Sequence, residues 1–175
     1  PAWYLRGDGD IRSAGWQFAN HAGQEIDLHW HMLHLDCRPG ADDGVWSRIR
    51  AARLSGEATA VLAPSDQVLH TVAHAARWSE DSILRWATDV ALILRREGAA
   101  MDWAPLLEEA RLRRLAPPLH DGLKSLQGAI GLAIPEAVLG ELERLSGPAT
   151  RFEHRLRALP QDRRSRAALA WIAFF

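Results

Sequence analysis

The sequence predicts an α+β fold: a short antiparallel β-hairpin, the remnant of a sheet, followed by a predominantly α-helical bundle. Two patterns and one change of punctuation carry this reading. Apolar and polar residues alternate between Trp16 and Leu33, the period of a strand with two unlike faces. Beyond Pro64 apolar residues recur every three or four positions, the period of a helix with one buried stripe. At the same point Gly- and Asp-containing turns give way to Ser, Asp and Pro helix starts. The expected division is a β-rich part over residues 1–62 and a helical part over residues 63–175.

In chain order, Tyr4-Leu5 begins a strand that ends in the Gly7-Asp8-Gly9-Asp10 turn. Trp16 and Phe18 form one alternating run and Ile26, Leu28, Trp30 and Met32 another, joined by Asn20-His21-Ala22-Gly23 as an antiparallel hairpin. Residues 38–44 are rich in Pro, Gly and Asp and read as a loop. A short helix is expected around Trp46 to Leu54, and a last short strand over Ala58 to Leu62. Ser65 is placed to cap a helix whose Val68, Leu69, Val72, Ala73 and Ala76 make the apolar stripe. Ser79 is placed to cap the next, with Ile83, Ala87, Val90, Ala91 and Leu94 inward and Gly98 as its stop. Asp102 starts a helix over Leu106 to Leu115 with Pro105 near its N-terminus. Pro117-Pro118 opens a helix to about Ile130, Pro135 another to Leu145, and the Arg-rich end holds one or two more. Short helices on short connections make a bundle, and no internal repeat suggests a solenoid.

Composition narrows the classes of function. With 47% hydrophobic and 25% charged residues, 175 residues bury a real core, which excludes extended disorder, collagen and membrane spans. Length allows one compact domain with an appended piece. The 21 Lys and Arg nearly cancel the 22 Asp and Glu, so bulk charge predicts neither a nucleic acid nor an anionic membrane as partner. A single cysteine, Cys37, forms no internal disulfide or thiolate zinc site, and no signal peptide opens the chain, so a cytoplasmic setting is expected. The apolar ends, Pro1-Ala2-Trp3-Tyr4 and Leu169 to Phe175, suggest a piece of a longer protein or self-association through these termini. Eight Trp spread along the chain, without a cluster of basic neighbours, read as core or interface anchors.

The chemistry-bearing residues fall into three groups. On a strand over residues 25–33, Ile26, Leu28, Trp30 and Met32 share the buried face and Asp27, His29 and His31 share the other. A carboxylate and two imidazoles in a row suit a divalent ion or acid–base work, although a half-exposed sheet also has an ordinary polar face. His70 and His74 stand one helical turn apart, as in helical metal sites, but Thr71-Val72-Ala73 between them lacks the glutamate of the zinc-protease motif. Histidines flanking an apolar stripe are also common as hydrogen-bonded packing residues. Asp89 follows Arg85 by four positions, either as a carboxylate that orients a histidine or substrate group, or as half of an Arg85–Asp89 pair on a solvated face. Asp8-Gly9-Asp10 offers paired carboxylates but no apolar strand to hold them, and Arg151 to Arg166, interrupted by Glu153 and Asp162, reads as a solvated helix face.

The order of the segments resembles a known family. Ile26-Asp27-Leu28-His29-Trp30, the Pro64 to His74 helix with its Leu69-His70 and His74, Leu84-Arg85-Trp86-Ala87-Thr88-Asp89, and Asp102-Trp103 before a helix are similar to the uncharacterised nucleotidyltransferase family, a branch of the DNA polymerase β-type superfamily. The resemblance covers about Gln24 to Leu115. It implies transfer of a nucleoside monophosphate from an NTP to an unknown acceptor, a small molecule or peptide, with Mg²⁺ as cofactor. It implies that residues 1–62 are the β-rich part of a nucleotidyltransferase-like domain. Members use an Asp-x-Asp pair after a Gly-Ser turn and a third carboxylate on a later strand. By position Asp27 is that third carboxylate, catalytic and metal-binding. His29, His31, His70, His74, Arg85 and Asp89 are the implied substrate-binding residues. No Gly-Ser turn followed by Asp-x-Asp on an apolar strand occurs in this sequence. The expectation is therefore a fragment of the enzyme, inactive alone and unable to hold Mg²⁺ tightly without the rest of the intact parent protein.

Two other classes stay open: a helical peptide- or protein-binding module without catalysis, and a hydrolase whose transition metal is held by Asp27, His29, His31, His70 and His74.

Overall fold

The computed structural model describes residues 2–6, 14–33, 36–75 and 83–158. The Asp8-Gly9-Asp10 turn, Ala76, the Ser79 cap, Trp78, the Arg-rich sequence beyond Ala158 and the apolar residues 169–175 lie outside them. The layout is α+β, with five strands in two small sheets and seven helices among the described residues. Two compact units divide the chain, Pro1–Ala63 and Pro64–Phe175.

In the first unit, β1 (Trp3–Leu5), β2 (Gly15–Asn20) and β3 (Glu25–His29) form an antiparallel sheet in sequential order. The expected hairpin is present, with Trp16 opposite Leu28, Gln17 opposite Asp27 and Phe18 opposite Ile26. Its connection is tied by Asn20, whose Oδ1 accepts the N–H groups of Ala22 and Gln24 at 3.0 and 3.1 Å. Gly15 is required where the strands close: a Cβ there would lie 2.5 Å from the Leu28 carbonyl oxygen.

Two expectations for this region are corrected. Ile26 and Leu28 share a face with Trp16 and Phe18, but they are 47% and 54% exposed, so that face is not a buried one. The strand also stops at His29. The N–H groups of Trp30 and His31 both donate to the Ala14 carbonyl at 3.0 and 3.1 Å, which turns the chain out of the ladder. His31 is consequently not in the row with Asp27 and His29.

The helix expected over Trp46 to Leu54 is likewise corrected. α1 is one short segment, Asp43–Ser47, and Arg50–Leu54 is instead β4, paired with β5 (Glu57–Val61). The turn between them is Ser55-Gly56, with φ of 52° and 89°. Two consecutive left-handed residues twist a two-residue loop in the sense that antiparallel strands require, which pairs Arg50–Leu54 as a strand instead.

In the second unit, α2 (Pro64–Ala75) packs against α3 (Ile83–Glu97), α4 (Ala104–Leu112) and α5 (Ala116–Ile130). α5 also meets α6 (Glu136–Leu145) and α7 (Pro148–Ala158). Val68, Leu69, Val72, Val90, Leu106, Leu119, Leu123 and Leu142 are all buried and form the core. Ser65 is not a cap: α2 begins one residue earlier, at Pro64, whose fixed φ suits a first helical position, and Ser65 is buried within the first turn. α3 stops at Glu97, directly before Gly98, and a 3₁₀ turn follows over Gly98–Ala100. The helix expected after Asp102 is α4, whose bounds are Ala104–Leu112 and not Leu106 to Leu115, and the Asp102 Oδ1 accepts the Ala104 N–H at 3.1 Å just before it. Of the tryptophans expected as anchors, Trp3 and Trp46 are exposed, and no described one is fully buried.

Ion pairs pin the connections of the bundle. Arg113 Nε donates to Glu109 Oε2 at 2.8 Å with both side chains buried, and Arg114 Nε donates to the buried Glu153 at 2.5 Å. Glu153 therefore does not lie on a solvated face as its Arg-rich surroundings suggested. It ties α7 to the turn after α4.

Candidate functional site

The sequence-predicted residues fall in both units, and each unit has one main place for them. The first is the polar face of β3. Directly opposed residues of an antiparallel pair share a face, so Glu25, Asp27 and His29 lie with Ala19, Gln17 and Gly15. All three β3 residues are exposed. Glu25 is ion-paired with Arg6 across the sheet, leaving Asp27 as the central carboxylate of the strand with Gln17 opposite it.

His31 leaves this row for a different partner. Its Nδ1 lies 3.0 Å from Oδ2 of Asp42, the residue that immediately precedes α1. The same oxygen accepts the Met32 N–H at 3.1 Å. Asp42 is 4% exposed and the His31 side chain 19%, so a buried carboxylate backs a partly accessible ring. Sequence reasoning missed Asp42, which sits in a Gly- and Asp-rich stretch that reads as a loop. The signal available was an acidic residue directly before a short helix, one that packs its carboxylate inward.

Cys37 lies on the same loop, with its thiol directed to the Leu33 carbonyl at 3.9 Å. Burial pushes the thiol up from its ordinary range, and the carboxylates of Asp36 and Asp42 push it further. A thiol held protonated in this way is a poor nucleophile and a poor metal ligand at neutral pH. Asp36 is itself engaged by Arg38, through Nε at 2.7 Å and Nη2 at 3.0 Å.

The second place is an open groove of about 360 Å³ between α2 and α3, lined by Gln67, His70, Thr71, Asp89, Leu92 and Ile93. The helical period of α2 sets His70 and His74 one turn apart, and their rings stack with centroids 5.6 Å apart. His70 and Asp89, on different helices, both line this groove. Arg85 and Asp89 are both exposed, and no ion pair joins these two described residues.

The donor sets can be tested against a metal. Two Mg²⁺ ions need several carboxylate oxygens in near-octahedral geometry. The β3 face presents Asp27, a Glu25 already engaged by Arg6, and the imidazole of His29, which suits zinc, iron or nickel better than Mg²⁺. Among the described residues, no group of three or more His, Cys, Asp or Glu is placed to hold a metal. These residues therefore do not by themselves fit a two-ion centre.

Among the described residues, no helix is long and apolar enough to cross a membrane. No curated protein and no solved structure matches the chain. The sequence profile of the family described as uncharacterised nucleotidyltransferase does match, over residues 3–128. That span starts in β1, contains the β3 face, the Asp42–His31 contact and the α2–α3 groove, and ends within α5. The chain belongs to the uncharacterised nucleotidyltransferase family.

Proposed function

We propose that this chain is part of an enzyme that transfers a nucleoside monophosphate from an NTP to an acceptor, a small molecule or a peptide, in the cytoplasm. The observation that supports this most is the family match over residues 3–128, combined with the exposure of Asp27 at the centre of the polar β3 face. In this reading Asp27 is a carboxylate for Mg²⁺, which when bound supplies charge neutralisation of the phosphates. Since the β3 residues alone do not fit a two-ion centre, the other carboxylates are proposed to come from sequence outside these 175 residues. The chain alone then binds Mg²⁺ only weakly and is inactive.

His29 shares the Asp27 face, and in this reading it donates a hydrogen bond to a phosphate oxygen. The α2–α3 groove is read, within its own unit, as an acceptor-binding surface. Its Asp89 carboxylate and His70 imidazole suit an amine or hydroxyl group, and Leu92 and Ile93 suit an apolar edge beside it. His74 stacks behind His70 and steadies its ring, and Arg85 stands one turn before Asp89 as a candidate phosphate contact.

The test is Asp27→Asn in the full-length gene product, assayed for pyrophosphate release and labelled NMP transfer from MgATP, MgGTP, MgCTP and MgUTP. Because Asp27 is exposed, the fold should survive with an unchanged far-UV spectrum, and transfer should fall by about a hundredfold or more. Unchanged transfer would remove Asp27 from the mechanism. If the gene product releases no pyrophosphate from any NTP and binds none, the better account becomes a helical peptide-binding module using the α2–α3 groove, where Leu92 is 59% exposed.

A further inference from the structure

Asp42 and His31 form a pair that the nucleotidyl-transfer reading leaves unused. The carboxylate is more than nine-tenths buried, takes one hydrogen bond from the His31 ring and another from the Met32 backbone, and so fixes both the ring and the chain that carries it. An ionised carboxylate only accepts hydrogen bonds, so Nδ1 of His31 carries the proton of the neutral ring. Nε2 is then the nitrogen with a free lone pair, on a side chain that retains access to solvent. A buried carboxylate behind the inner nitrogen of a partly exposed imidazole is the arrangement that makes an oriented base. The pair stands just beyond the end of β3, two residues after His29, where the chain has been turned out of the ladder by the shared Ala14 carbonyl. That turn is what withdraws His31 from the Asp27 row and gives it its own carboxylate.

The geometry points to His31 as the general base of the transfer reaction and to Asp42 as its positioning residue. The inference rests on the nucleotidyl-transfer reading above. In the step, the acceptor oxygen or nitrogen forms a bond to the α-phosphorus of the NTP, and the bond from that phosphorus to the bridging oxygen breaks. The electron pair leaves with pyrophosphate. The acceptor proton passes to Nε2 of His31, while Asp42 stays ionised and stabilises the imidazolium that results. Among the described residues of the loop, burial and two carboxylates disfavour the Cys37 thiolate, and Asp36 is taken by Arg38.

Two measurements on the full-length gene product test this, and they fail independently. Long-range proton–nitrogen NMR on ¹⁵N-histidine-labelled protein reads the tautomer of His31 without any substrate. It should show the proton on Nδ1 in the native protein and a loss of that preference in Asp42→Ala and Asp42→Asn. A proton on Nε2 in the native protein would overturn the assignment, whatever the enzyme does. The second measurement uses MgATP as the probe and water as the acceptor, with AMP and pyrophosphate as products. His31→Gln should lower kcat about a hundredfold or more with KM for MgATP changed less than about threefold. Asp42→Asn should lower kcat by at least about tenfold with the same small change in KM. Loss of kcat in Asp42→Ala with native kcat in His31→Gln would assign Asp42 to the fold alone and overturn the proposal. If native protein releases no pyrophosphate from any of the four NTPs and binds none, the transfer reading fails and His31 loses its role as base with it, whatever tautomer the NMR shows.

Discussion

Asp27 and Asp42 are both acidic residues in turn- and strand-rich sequence, and their surroundings give them opposite uses. Asp27 is solvated on a strand face, free to meet a ligand, whereas Asp42 is buried and committed to His31 and the Met32 backbone. Cys37, close to Asp42, shows the same dependence on surroundings. Its thiol titrates above the ordinary range because burial, and then two carboxylates, disfavour the thiolate. A raised folded-state value means that the contribution to stability is complete below the unfolded thiol's titration and is lost as pH rises through the folded one. Alkylation of Cys37 by iodoacetamide should accordingly lag behind that of a free thiol at every pH from 7 to 9, and rise only at more alkaline pH. A mass-spectrometric rate profile checks this, and a rate equal to the free thiol would refute it. The buried Arg113 and Glu109 form a second committed pair. Glu109→Ala leaves a buried guanidinium short of its carboxylate and should destabilise by about 3–5 kcal/mol in urea unfolding. The exposed pairs Arg111–Glu108 and Arg144–Glu141 hold their carboxyls below the usual range through the guanidinium hydrogen bond, yet breaking either should barely move the midpoint.

At the level of elements, turns decide more than propensity does. A short helix is expected around Trp46 to Leu54, but Ser55-Gly56 closes a hairpin that recruits Arg50–Leu54 as a strand. Gly56 sits at φ 89°, where a side chain is strained, so Gly56→Ala should cost about 1 kcal/mol. Ser55→Asn, which suits the left-handed first position, should raise the melting temperature slightly. Thermal unfolding of both variants checks the pair, and equal effects would show that the turn is not the type I′ form. Gly15→Ala is the harsher change, because the added methyl meets the Leu28 carbonyl across the β2–β3 ladder. It should destabilise by about 1–3 kcal/mol and loosen the β3 face on which Asp27 and His29 stand. The helices behave more simply. Of their expected apolar stripes, Val68, Leu69 and Val72 on α2 and Val90, Ala91 and Leu94 on α3 are buried, whereas Ala73 and Ala87 are half-buried.

At the level of the whole molecule, burial is unevenly shared. The helical unit holds the large buried side chains Leu69, Leu106, Leu119, Leu123 and Leu142, whereas β3 and β5 are exposed along their whole length. Amide hydrogen exchange should therefore be slowest in α2 and α5 and fast in β3 and β5, read by mass spectrometry on peptic peptides. Equal protection in both units would contradict this. The α+β class, the β2–β3 hairpin, the order of the helices and membership of the nucleotidyltransferase family were all legible in the sequence. They rest on local periodicity, turn chemistry and the linear order of motifs, which the chain carries before it folds. The pairing of His31 with Asp42, the lining of one groove by His70 and Asp89 and the burial of Glu153 against Arg114 were not legible. Each joins residues from different elements, and no periodic pattern encodes which polar side chain turns inward. That choice is made when tertiary packing removes water from one carboxylate and leaves it on another, so that Asp42 must find partners and Asp27 need not.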